Sequence, residues 1–279
     1  MNFNKFLLVG SLFYKGDKKV KDHKKGIVDI KALSREIKKV NKLKEKTGIS
    51  HAIDIIAETP EAMENYITII YELTDDLIFI GGLNEETRIA GYKKAKDLGI
   101  SNKCVVNSIS PLTTDNELKA IKEYGIKSVI LQLLDPNAIY PEEKLCILKD
   151  IMLEKCKGLE IAVDVGVIDF TSVWLAIESM KLIKKELSIP VGCAPSNAAY
   201  QPLINKKVNK TTTRAINVAL TSIIQMANAD FIIYGPLKAA SYIFEAVAVI
   251  EGIKGYGEKL QGKKLDKNHP LYKYLMNLT

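Results

Sequence analysis

At 279 residues, 47% hydrophobic and 26% charged, the chain has enough apolar material for a sizeable core and the balance of a soluble globular protein. Its net charge of +7 comes almost wholly from lysines spread among glutamates, with only Arg35, Arg88 and Arg214 as arginines, which reads as a solvated surface, or else as a dock for an acidic partner or an anionic ligand tail, and not as a nucleic-acid reader. Four scattered cysteines without a CxxC pair and three remote histidines argue against a zinc centre or disulfides and fit a reducing cytoplasm; no run reaches the roughly 18 apolar residues of a membrane span.

The first predicted strand covers 5–12, and its apolar run Phe6-Leu7-Leu8-Val9 is too short for the core of a signal peptide. A helix follows over 31–46, where Leu33, Ile37, Val40 and Leu43 recur at helical spacing. The second strand, 52–58, leads to a helix opening at Thr59-Pro60, a capping residue followed by proline in the first helical position. Strand 76–82 precedes a helix from Asn84 to Gly99, and strand 103–108 precedes one from about Asp115 to Gly125. The later pairs are 127–134 with 141–156, 160–166 with 171–186, 189–194 with 211–227, and 230–234 with 237–254. Eight strands, each followed by a helix, predict an α/β fold made of one closed (β/α)₈ TIM barrel, with an open doubly wound sheet as the rival. No linker divides the chain, so 1–279 reads as a single domain, with 255–279 a surface extension or oligomer contact.

Parallel strands covered on both faces should be nearly continuous in Val, Ile and Leu. Here polar residues interrupt the C-terminal halves of several strands or follow them: Asp54 and Glu58, Asn107 and Ser108, Gln132, Asp164, Asn197 and Tyr234. Burying an amide or carboxylate without a partner costs roughly 1–3 kcal/mol, so a set of them is not an accident of packing. In a barrel they converge on the C-terminal mouth, where active sites of this fold are built. Asp54 also fits a place inside the barrel, paired with a neighbouring strand. The cysteines read as small core residues, Trp174 as core packing within its helix, and His51 takes no role. Gly235-Pro236 opens the last helix without the glycine-rich loop that a phosphate site would favour.

These residues carry a resemblance. The stretches Gly10-Ser11-Leu12-Phe13-Tyr14, Lys24-Lys25-Gly26-Ile27, Thr59-Pro60-Glu61-Ala62, Glu86-Thr87-Arg88, Asn107-Ser108-Ile109, Pro190-Val191-Gly192 and Asp230-Phe231-Ile232-Ile233-Tyr234-Gly235-Pro236 run in order along nearly the whole chain. In these the sequence resembles the tetrahydromethanopterin S-methyltransferase H-subunit family, which includes tetrahydrofolate-using methyltransferases. The resemblance implies a pterin-binding barrel that moves a methyl group between N5 of a tetrahydropterin and the cobalt of a corrinoid on a separate protein. It also implies a homodimer. By that likeness Asn107 and Asp164 grip the pterin ring and Asn197 hydrogen-bonds near N5. Where the family pattern ends strand three with an aspartate, this chain has Phe79-Ile80-Gly81-Gly82. Asn84 and Glu58 are the candidates to replace that side chain.

The chemistry of the residues agrees in kind. Asp164 can accept two parallel N–H bonds from an amino-pyrimidinone edge, and Asn107 offers both a donor and an acceptor. A methyl group on a tertiary amine leaves behind a strongly basic nitrogen, which needs a hydrogen bond or a proton as the bond breaks. Asn197 can supply the first and not the second. Two other readings stay open: another barrel enzyme of the dihydropteroate synthase or phosphosugar type, and a non-catalytic binding or scaffold paralogue. An open polar mouth would favour catalysis, and a mouth filled by its own side chains the scaffold.

Overall fold

All six residues of strand β1 (Leu7–Leu12) are buried, as a strand covered on both faces requires. In the computed structural model, which describes residues 5–278, it is joined by β2 (Ser50–Ala57), β3 (Leu77–Gly82), β4 (Cys104–Ile109), β5 (Ser128–Gln132), β6 (Glu160–Asp164), β7 (Val191–Cys193) and β8 (Phe231–Pro236). These eight parallel strands close in the order β1-β8-β7-β6-β5-β4-β3-β2, a TIM barrel and not the rival open sheet. Helices follow the strands, two of them opening where the sequence places them, at Thr59 and Asn84; these two and Asp29 each accept a hydrogen bond from the amide three residues on.

Two cores result. The larger lies between strands and helices; the smaller fills the barrel with Val9, Ala52, Phe79, Val105, Ile130, Ala162 and Phe231 among others. Side chains alternate across a strand with a period of two. Two residues beyond those interior positions come Ser11, Asp54, Gly81, Asn107, Gln132 and Asp164, so the inward face turns polar at one height, the mouth.

The structure adds elements too short for periodicity to reveal. An antiparallel ribbon, Val20–Asp22 with Ile27–Val28, follows β1. Strand β7 is only three residues long, and the chain turns through Pro195, which has no N–H for a ladder, into an unforeseen helix at Ser196–Ile204. The last long helix runs from Ala240 to Leu260, past Gly255, and the segment after it returns to bury Leu271 and Tyr274. No helix among the described residues is long and apolar enough to cross a membrane.

Two expectations need correction. Trp174 is 66% exposed, because the buried face of its helix, Phe170–Leu187, runs through Val173, Ile177 and Met180, one step away from it. Tyr234 does not reach the mouth. On β8 the inward positions are Phe231 and Ile233, so Tyr234 points outward into the larger core, its hydroxyl 3.0 Å from His51 Nε2. His51 itself lies within β2, fully buried, with Nδ1 3.0 Å from Asp76 Oδ2. Burial pushes its pKa down against the pull of Asp76. Three cysteines are buried as expected, whereas Cys146 is exposed.

Candidate active site

Asp54 is brought to the mouth by the inward face of β2 and is 3% exposed. Ser11 Oγ, from β1, donates to its Oδ2 at 2.9 Å, and Asn107 Nδ2, from β4, donates to its Oδ1 at 3.0 Å. Burial raises the pKa of this carboxyl, and the two hydrogen bonds only partly oppose the rise. On the next strands Ser108 Oγ donates to Gln132 Oε1 at 3.1 Å, which leaves the Gln132 amide nitrogen to donate elsewhere.

Asp164 stands level with Gln132 in the β5–β6 ladder. Its Oδ1 accepts from the Gly166 amide at 2.8 Å, the carboxylate's single hydrogen bond among the described residues. Burial pushes its pKa up to about 6, opposed by that amide and by the positive charge of Lys144. Asn197, in the first turn of the helix after β7, is exposed and donates from Nδ2 to the Val167 carbonyl at 3.0 Å. One N–H and the carbonyl of its amide remain for a ligand.

Asp54, Asn107, Ser108 and Gln132 line one hollow of about 580 Å³, together with Gly81 and Arg88. Asp164 adjoins it through Gln132, and Asn197 stands further around the mouth. Glu58, one residue past β2, is half-buried and does not line the hollow. Neither candidate to replace the strand-three aspartate lines the hollow. Asn84 is spent as a helix cap, its side chain accepting from Thr87 N at 2.9 Å, and Glu58 lies outside the hollow. The carboxylate nearest position 81 is Asp54: a Cβ added at Gly81 would lie 3.2 Å from its Oδ1.

Two groups at the mouth were not legible beforehand. Arg88 binds Glu117 through Nε and Nη2, both at 2.6 Å, and donates from Nη1 to the Gly82 carbonyl at 3.1 Å. Tyr92 adds a hydrogen bond to Glu117 Oε1 at 2.8 Å. This clamp fixes the end of β3; one of only three arginines in a lysine-rich chain was the available signal, since only arginine makes a planar two-pronged pair. Lys144, 6% exposed, is the other. Nothing in the sequence separates it from the surface lysines.

The arrangement offers acceptors on Asp54 and Asp164, amides on Asn107, Gln132 and Asn197, and an open hollow. That set suits a flat heterocycle with alternating donors and acceptors. The described residues contain no group of three His, Cys, Asp or Glu side chains placed to hold a metal ion.

The profile of the tetrahydromethanopterin S-methyltransferase MtrH subunit matches residues 4–264. The H-subunit of that enzyme from Methanothermobacter marburgensis is 28% identical, over 96% of this chain and 91% of its own length. The H-subunit from Methanocaldococcus jannaschii is also 28% identical, over 95% and 91%. Among solved structures, Yersinia pestis dihydropteroate synthase superposes with a TM-score of 0.68 at 14% identity, covering 92% of this chain and 96% of its own. The Vibrio fischeri enzyme gives 0.64 at 15%, covering 91% and 95%. At such identities the likeness to the synthases concerns the barrel alone.

Proposed function

Because this chain belongs to the tetrahydromethanopterin S-methyltransferase H-subunit family, we propose that it is a methyltransferase that binds a tetrahydropterin in the barrel mouth and moves the methyl group on its N5. The acceptor or donor at the other end is the cobalt of a corrinoid carried by a separate protein, which supplies the nucleophile, so the barrel needs no Ser/His or Cys/His pair of its own. The observation that carries the reading is the set of carboxylate and amide side chains from successive strands around one open hollow of about 580 Å³. A mouth filled by its own side chains would have favoured a scaffold.

The donor set fits the ring. Asp164, with one hydrogen bond from Gly166, has acceptor capacity left for the amino-pyrimidinone edge. Asn107 is oriented by its bond to Asp54 and presents its carbonyl and second N–H to the same edge. Ser108 orients Gln132, and Ser11 orients Asp54. Asn197 donates to N5 as charge develops there, a bond that strengthens on the way to the transition state. Glu58 is at most a peripheral contact. The protein works in the cytoplasm as a homodimer, with the corrinoid protein docking over the mouth. Its electrostatic contacts come from loop lysines such as Lys15 and Lys238, both exposed.

The test is titration of the purified protein with methyl-tetrahydrofolate and methyl-tetrahydromethanopterin side by side, followed by methyl transfer with a corrinoid protein. Saturable binding of one of them, lost in Asp164→Ala, is the expected result. Absence of binding to any reduced pterin would sink the reading.

A further inference from the structure

The helix after β5, Pro141–Ile147, carries the buried Lys144. Its Nζ donates to the Val165 carbonyl at 2.6 Å, and no carboxylate lies within ion-pair distance of it among the described residues. Val165 is the middle of the turn that sets Asp164. On that turn Leu133 N donates to the Asp164 carbonyl at 2.8 Å, Val165 N donates to the Gly192 carbonyl at 3.0 Å, and Gly166 N closes back on Asp164 Oδ1. Backbone groups therefore already hold this turn from β5 and β7. Among the described residues, the ammonium is the one charged side chain from another element that is hydrogen-bonded to it.

A cation with a single carbonyl partner is an expensive tether. Its desolvation costs several kcal/mol, where a neutral amide could donate the same hydrogen bond for far less. What only the cation provides is a positive field one residue from a buried carboxylate. We infer that Lys144 is a positioning residue that keeps Asp164 ionised, and so able to accept from its ligand, inside a dry mouth. Its effect reaches down to about pH 6, where the mouth alone would leave the carboxyl mostly protonated. Two shifts accord with this: Lys144 opposes the rise of the Asp164 pKa, and burial lowers that of Lys144 while Asp164 opposes the fall. The other titratable groups near the turn are Cys193 on β7, whose thiol burial holds neutral, and Asp135 in the loop after β5, whose Oδ1 already accepts from Asn137 N. The idea rests on the pterin reading only for the identity of the ligand.

The test separates charge from tether. Lys144→Gln keeps a donor for the Val165 carbonyl without the charge, and Lys144→Arg keeps the charge. The Asp164 carboxyl is followed by carbon-detected NMR titration of ligand-free protein. In Lys144→Gln its midpoint should rise by about one unit, and in Lys144→Arg it should stay near the wild-type value. Affinity for methyl-tetrahydrofolate, or for methyl-tetrahydromethanopterin if that is the pterin bound, should fall about fivefold at pH 6 and stay nearly unchanged at pH 8, as one unit dictates. An unmoved midpoint, or an affinity loss equal at both pH values, would leave only a tether and overturn the idea. Should the glutamine variant not fold, the Lys144 ammonium resonance of wild type decides the matter. It should step at the Asp164 midpoint, and a flat response overturns the coupling. A midpoint that moves in a protein binding no reduced pterin would defeat the functional reading and leave this inference standing.

Discussion

Replacing Asp164 with asparagine should make the protein more stable and its site worse. A rise of the carboxyl from its ordinary 3.8 to about 6 means that ionising Asp164 costs the native state about 3 kcal/mol more than the unfolded chain, at 1.36 kcal/mol per unit. The native state holds its proton at the higher pH, so this group's contribution to stability falls as pH rises from about 4 to about 6 and is flat on either side. Asparagine never ionises, and its Oδ1 can still accept from Gly166 N. Urea unfolding of both proteins at pH 4, 5, 6 and 7 gives a difference curve in which His51 and Asp54 largely cancel. On that curve the asparagine variant should gain about 2 kcal/mol on wild type between pH 4 and pH 7, less than the full ionisation cost because the unfolded carboxyl is already more than half ionised at pH 4, whatever constant offset the substitution adds. Pterin affinity at pH 7 should meanwhile fall by about 2–4 kcal/mol, because the amide offers a donor where the ring also donates. Parallel stability curves, or a wild type that gains on the variant as pH rises, would refute the claim that burial dominates at this carboxyl.

Asn197→Ala should slow methyl transfer about 10²-fold while changing pterin affinity little, since its hydrogen bond to N5 is strongest in the transition state; an equal loss in both would make it a plain binding residue. Asn107→Ala should weaken pterin binding more mildly than Asp164→Ala, checked by the same titration, and an unchanged affinity would remove it from the site. Gly81→Asp should lower the thermal midpoint and weaken binding, because its Cβ would meet the Ile55 carbonyl at 3.0 Å and Asp54 Oδ1 at 3.2 Å; tighter binding would show that the mouth accepts a second carboxylate there. Iodoacetamide should alkylate only Cys146 in the native protein, as read by mass spectrometry, because burial pushes Cys104 up to about 12 and Cys156 up to about 11 and holds Cys193 well above an ordinary thiol.

The barrel was legible because apolar runs with helical patterns between them have few other solutions, and because polar residues at strand ends make sense only at a shared mouth. Tyr234 shows the limit of that reading. It ends the strand expected over 230–234 as Asp164 ends β6, but its parity along β8 sends it outward, and parity is fixed only when the interior residues are known. Trp174 failed for the matching reason on a helix: a large apolar side chain one step off the buried face stays outside. The helix at Ser196–Ile204 carried too few turns, and Pro202 within it, to announce itself. Arg88 and Lys144 act through partners distant in sequence, Glu117 and Val165, and pairings of that kind are visible only after folding.

The polar tier at the mouth stands one pleat above the apolar interior on every strand that contributes to it. Point substitutions in the tier can therefore alter what is bound while the layers beneath keep the barrel closed. Loss of a single residue within β6 would act differently: it would exchange the faces of Val163 and Asp164, turning the carboxylate toward the surrounding helices and presenting valine to the ligand. Such a protein has two kinds of neighbour in sequence space. Changes of identity at the tier give graded altered binders, while changes of length within a strand give no binder at all. New specificities on this scaffold should arise by exchange at the tier and by growth or shortening in the loops beyond it, with strand lengths left as they are.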